Sequence, residues 1–144
     1  MKKILIVEDE KLFAQLLSDA LSDNEDTDAE LARNGRIALQ MMDSTDYDLV
    51  LTDIHMPEMN GREFLKSLRS RNSEVGIIVL TAFPEVDYIK EFNDLGIEDF
   101  LSKDECDLNA LQKLVEDYFH RRKVEFLAGG FDGVEDIEEE AKDS

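Results

Sequence analysis

The sequence predicts an α/β protein built on a parallel sheet with helices on both faces. Short β-rich runs are apolar at consecutive positions, as strands covered on two sides require. Between them lie stretches whose apolar residues recur at helical spacing. Strand and helix alternate strictly, which implies right-handed crossovers between parallel strands. A chain of 144 residues that is 42% apolar suits one compact domain with an ordinary core.

The elements follow in order. Ile4–Val7 is the first strand, and after the acids Glu8-Asp9-Glu10 a helix is marked by Leu12, Leu16, Leu17, Ala20 and Leu21. Asp28–Ala32 interleaves polar residues and reads as an edge strand; Ile37, Met41 and Met42 mark the second helix. Leu49–Thr52 is the central strand, and Asn60-Gly61 precedes a third helix with Phe64, Leu65 and Leu68 on one side. Ile77–Leu80 is the fourth strand, followed by a helix on Ile89, Phe92 and Leu95 that ends at Gly96. Asp99–Ser102 is the fifth strand. The fifth helix carries Leu108, Leu111, Leu114, Val115 and Tyr118, with His120-Arg121-Arg122-Lys123 where a helix C-terminus favours cations. The methionines Met41, Met42, Met56 and Met59 read as packing.

Thirty-five acidic residues against 16 basic ones give a net charge of −19. Such a chain repels a polyanion, so nucleic acid is disfavoured as a direct partner. No apolar run approaches the roughly 18 residues of a membrane span, and the apolar start of the chain is too short for a signal peptide. A single cysteine, Cys106, forbids an internal disulfide and fits the cytoplasm. Residues 1–128 carry −13 and residues 129–144 carry −6, with a break expected at Gly129-Gly130. The expected organisation is a domain over 1–124 and an acidic tail over 125–144. Phe131, Val134, Ile137 and Ala141 make that tail either a short docking helix or a disordered, solvated segment.

Sites in such sheets form at the carboxyl ends of the strands. Here those ends carry Glu8 and Asp9, Asp53, Thr81 and Lys103. Three acids together repel one another unless a cation intervenes, and a hard divalent ion such as Mg²⁺ prefers carboxylate oxygens. The lack of clustered His or Cys argues against zinc. Asp53, on the central strand, is the best placed to react, and a carboxylate can attack a phosphoryl group to give an aspartyl phosphate. Lys103 supplies a point charge and Thr81 a hydroxyl for the phosphoryl oxygens. No phosphate-binding glycine motif and no Ser/His/Asp arrangement is present.

The strings Ile6-Val7-Glu8-Asp9-Glu10, Leu51-Thr52-Asp53-Ile54-His55-Met56-Pro57-Glu58-Met59-Asn60-Gly61, Val79-Leu80-Thr81-Ala82 and Gly96-Ile97-Glu98-Asp99-Phe100-Leu101-Ser102-Lys103 resemble the receiver domain of two-component response regulators. The resemblance covers about residues 2–123. It implies a flavodoxin-like (βα)₅ fold, a doubly wound five-stranded parallel sheet. It also implies that a sensor histidine kinase or histidine phosphotransfer protein donates a phosphoryl group to Asp53. By the same resemblance Asp9 is a direct Mg²⁺ ligand, Glu8 reaches the metal through water, Asp53 ligates it, and His55 contributes only its backbone carbonyl. Thr81 and Phe100 are the switch pair, and Lys103 contacts a phosphoryl oxygen. A downstream protein target would read a surface holding Tyr88, Lys90, Glu91 and Asp107. Dimerisation on phosphorylation is one option for the oligomeric state. Beyond self-catalysed phosphotransfer and autodephosphorylation no enzyme activity is implied.

The family usually has proline after the lysine, commonly with a cis peptide, whereas this chain has Asp104. A non-proline cis bond costs about 2.5–4 kcal/mol, so a trans bond is expected. Asp104 is expected to cap the last helix. Two other readings compete. A phosphorylation-independent pseudo-receiver would tend to lose one of Glu8, Asp9, Asp53, Thr81 or Lys103, and all are present. A Mg²⁺-dependent phosphohydrolase would often show D-x-D, but Ile54-His55 follows Asp53.

Overall fold

A computed structural model of the chain describes residues 1–54, 61–71, 74–81, 93–104 and 107–130. The elements are β1 (Lys2–Val7), α1 (Lys11–Leu21), β2 (Thr27–Ala32), α2 (Gly35–Ser44), β3 (Leu49–Thr52), α3 (Gly61–Arg71), β4 (Gly76–Thr81), β5 (Asp99–Ser102) and α4 (Leu108–Gly130). All five strands are parallel in one sheet of order β2-β1-β3-β4-β5. The chain leaves β1 in one direction to form β2 and returns on the other side to form β3. This is the flavodoxin-like arrangement, and its switch point opens a crevice at the carboxyl ends of β1 and β3.

The period of two along each strand separates two cores. On one face Leu5, Val7, Val50, Ile77 and Val79 pack with Ala38 and Leu39 of α2 and with Phe64, Leu65 and Leu68 of α3. On the other, Ile6, Leu51 and Leu80 line one small void together with Leu17 of α1. Every residue of β3 and β4 is buried, which is why these strands read as unbroken apolar runs. The half-exposed β2 lies at the sheet edge, as its interleaved polar residues imply. Asn34 caps α2 by accepting the Ile37 N–H at 2.8 Å.

The first helix corrects the expected stripe. Ala14, Leu17 and Leu21 are buried, whereas Leu12 is 80% and Leu16 53% exposed. Leu17 lies three positions after Ala14 and Leu21 four positions after Leu17, and this set, not one containing Leu12 and Leu16, faces the sheet.

The chain divides into two units, Met1–Leu108 and Asn109–Ser144. Within α4, Leu111, Val115 and Tyr118 are buried, and Arg122 donates to the Tyr118 hydroxyl at 2.6 Å. The described part of the helix extends past residue 124 to Gly130, and the break expected at Gly129-Gly130 adjoins the tail that lies outside the described residues. It begins at Leu108, immediately after Asp107 and four residues beyond Asp104. Asp104 is therefore not its cap. No cis peptide occurs among the described residues, and the Lys103–Asp104 bond is trans, as the cost of the alternative implies. The helix expected on Ile89 and Phe92, the residues Cys106, Met56 and Met59, the surface residues Tyr88, Lys90 and Glu91, and the tail from 131 onward lie outside the described residues. No helix among the described residues is long and apolar enough to cross a membrane.

Candidate functional site

Strand register brings the site together. Val7 pairs with Thr52, so Glu8 and Asp53 leave neighbouring strands at the same level. Thr81 pairs with Ser102, which places Lys103 one residue past the same rim. The ladder continues through all three: Glu8 N donates to Ala32 O at 2.9 Å, Asp53 N to Val7 O at 3.1 Å, and Lys103 N to Thr81 O at 2.7 Å. Each backbone is thus held where its side chain departs.

Carboxylate oxygens of Glu8, Asp9 and Asp53 lie within 4.8 Å of one another. Glu8 and Asp53 are buried and Asp9 is exposed. The Lys103 ammonium bridges two of them, donating to Glu8 Oε1 and, at 2.8 Å, to Asp53 Oδ2. Asp53 Oδ1 accepts the Ile54 N–H at 2.6 Å, which fixes the plane of the carboxylate. The Lys103 ammonium also sits over the Phe13 ring, 4.9 Å from its centroid. Beside the acids a groove of about 490 Å³ runs past Lys11, Gln15, Leu31 and Arg33.

Burial raises the Glu8 carboxyl to about 7; bonding and charge from Lys103 oppose the rise, and the charges of Asp53 and Asp9 add to it. Burial acts to lower Lys103, but its bonds to Asp53 and Glu8 outweigh that and hold the ammonium above its ordinary range.

When all three are ionised, the carboxylates exceed the one ammonium by two negative charges, which a dication would balance. Glu8 Oε2 is buried with no hydrogen-bond partner among the described residues. An orphaned acceptor of this kind is costly unless a ligand satisfies it. The donor set is all oxygen, the choice of Mg²⁺ rather than of a softer metal. The residues therefore fit the cation the sequence implies.

Glu8, Asp9, Asp53 and Lys103 are brought together as the sequence predicts. Thr81 is fully buried at the end of β4, on the strand next to Lys103. Phe100 stands in β5 opposite Val79, half-buried against the core that contains Leu5 and Val7. His55 lies outside the described residues. Phe13 was not among the expected site residues. The signal for it was present, since Phe13 belongs with Ala14, Leu17 and Leu21 on the sheet-facing side of α1.

Comparison with known proteins gives the same fold. The sequence profile described as "Response regulator receiver domain" matches residues 4–116. The "Regulator of RpoS" of Escherichia coli (strain K12) is 39% identical over 114 residues, which are 79% of this chain and 34% of that protein. The "Transcriptional regulatory protein MalR" of Bacillus subtilis (strain 168) is 34% identical over 125 residues, 86% of this chain and 53% of the relative. The chain thus spans between a third and just over half of the length of these two relatives. Among solved structures, Vibrio cholerae chemotaxis protein CheY4 superposes with a TM-score of 0.74 at 29% identity, covering 81% of this chain and 98% of that one.

Proposed function

The chain belongs to the family of response regulator receiver domains, and we propose that it is a phosphoacceptor in a two-component or phosphorelay system. In this reading Asp53 takes the phosphoryl group from a phosphohistidine of a sensor histidine kinase or histidine phosphotransfer protein. The observation that carries it is the Asp53 carboxylate at the end of the central strand, bonded by Lys103 and within 4.8 Å of the Glu8 and Asp9 oxygens.

Each Asp53 oxygen accepts one bond, Oδ1 from the Ile54 N–H and Oδ2 from Lys103, and Oδ2, on the side of the ammonium, is the oxygen assigned to attack phosphorus. As the new O–P bond forms, the N–P bond to the donor histidine breaks and its imidazole nitrogen keeps the electron pair. Lys103, already on Oδ2, stays within reach of the transferred oxygens and offsets their charge. Held by Glu8, Asp9 and Asp53, with the His55 carbonyl as a further ligand, Mg²⁺ would neutralise phosphoryl charge. Thr81 and Phe100, on the two strands beside Lys103, are the elements whose rearrangement would alter binding of a downstream protein. Exchange with such partners is work for the cytoplasm.

Incubation with Mg²⁺ and acetyl phosphate, followed by mass spectrometry, tests the assignment. A phosphoryl adduct that disappears in Asp53→Asn supports it. Absence of an adduct in protein shown to bind Mg²⁺ would instead make the chain a phosphorylation-independent interaction module.

A further inference from the structure

We propose that Phe13 is a positioning residue for Lys103: its ring face holds the ammonium at the site rim when the acids that otherwise hold it are taken by a cation. The inference rests on the phosphoacceptor reading and adds to it a residue outside the acid and lysine set.

The Lys103 ammonium has two kinds of partner. Glu8 and Asp53 attract it by charge, and both are the groups that a dication would claim. The third partner is the neutral ring of Phe13, whose centroid lies 4.9 Å away, inside the roughly 6 Å reach of a cation–π contact. This attraction comes from the ring quadrupole and persists when the carboxylates are neutralised. The ring also belongs to the right element. α1 starts at Lys11, directly after Glu8-Asp9-Glu10, so the segment that presents the acids also presents Phe13.

The surroundings strengthen the contact. Phe13, Leu17, Leu51 and Leu80 border, together with Glu8, Asp53 and Lys103, a void of only about 10 Å³, at the lower limit for one water. The Lys103 side chain is 15% exposed. A cation that is poorly hydrated gains more from an aromatic face than an exposed one does. Without the ring, an ammonium displaced from Glu8 and Asp53 would move toward solvent, and the phosphoryl oxygens would lose their fixed counter-charge.

The test uses the full chain with Phe13→Leu, Phe13→Tyr and a series of ring-fluorinated phenylalanines at position 13, which drain the quadrupole with little change of shape. Phosphorylation by acetyl phosphate at saturating Mg²⁺ should slow about tenfold in Phe13→Leu and stepwise with fluorination, while Phe13→Tyr stays near the parent rate. Equal rates in the Leu and Tyr variants, or a flat fluorination series, would overturn the proposal. A second readout needs no phosphotransfer: the Lys103 ε-methylene protons should show a ring-current upfield shift that survives Mg²⁺ saturation and vanishes in Phe13→Leu. Loss of that shift on adding Mg²⁺ to the parent protein would sink the role of Phe13. Absence of any phosphoryl adduct in the parent would count against the phosphoacceptor reading instead.

Discussion

Lys103 donates to Asp53 Oδ2 at 2.8 Å across 50 positions of sequence, and the same ammonium bonds Glu8. One cation therefore holds two carboxylates that would otherwise face each other inside the crevice.

Removing that cation leaves like charges uncompensated in a poorly hydrated place. Lys103→Met, which keeps most of the stem, should lower the unfolding free energy by about 2–4 kcal/mol in metal-free buffer. Saturating Mg²⁺ should narrow the gap, because the dication replaces the lost charge. Urea unfolding with and without Mg²⁺ measures both effects. An unchanged midpoint without metal would show that the bridge contributes nothing to stability.

The raised Glu8 carboxyl makes metal binding and stability depend on pH in opposite senses. Its value of about 7 in the fold exceeds its ordinary 4.5, so the folded metal-free protein holds a proton that the unfolded chain releases. That stabilising contribution is complete below about 4.5 and is lost as pH rises through about 7. Mg²⁺ requires the ionised carboxylate, so its apparent affinity should fall by up to about tenfold per unit below pH 7. Calorimetric Mg²⁺ titrations at pH 6 and pH 8 decide the matter: binding should be tighter at pH 8. Equal dissociation constants would mean that Glu8 does not couple to the metal.

The strand ends were the most legible part of this chain because burial on both faces leaves little choice of residue. β3 begins and ends where its buried run does, the half-buried β5 spans the expected Asp99–Ser102, and the acids and lysine that follow β1, β3 and β5 fall on one rim. Helix faces were less legible where apolar residues lie on more than one side. Leu12 and Leu16 are as apolar as Leu17 and Leu21, and only packing against the sheet shows which set turns inward. That ambiguity also hid Phe13. The start of α4 depended on the length of the connection after Lys103, which local composition does not encode. Asp104 and Asp107 are equally good caps by type alone.

The approach of α2 to α3 depends on a missing side chain. A Cβ added to Gly35 would lie 2.9 Å from Phe64 Cβ, and Phe64 is fully buried. Gly35→Ala must therefore push a packed aromatic or the helix itself, at about 1–3 kcal/mol. Thermal or urea unfolding should show that loss while Mg²⁺ affinity stays close to the parent value, because neither residue lies at the acid cluster. A variant as stable as the parent would mean that α2 moves away freely.

At the entry to β5 one arginine gathers three carbonyls. Arg69 donates from Nε to Leu95 O at 2.6 Å, from one terminal nitrogen to Gly96 O at 2.9 Å and from the other to Val75 O at 2.7 Å. The clamp joins α3 to the residue before β4 and to the turn that precedes β5. Gly96 turns the chain there with φ of 72°, a conformation that L side chains rarely adopt. Gly96→Ala should cost about 1–2 kcal/mol. Arg69→Met should cost about 2–3 kcal/mol through lost charge-assisted bonds. Because both changes loosen the same turn, the double variant should lose less than the two single losses together. Urea unfolding of the three variants measures the coupling. The turn lies before β5 and Lys103 follows it, so each variant should still bind Mg²⁺ with near-parent affinity while folded. Strict additivity of the two losses would show that Arg69 and Gly96 act independently, and that the arginine does not hold the turn.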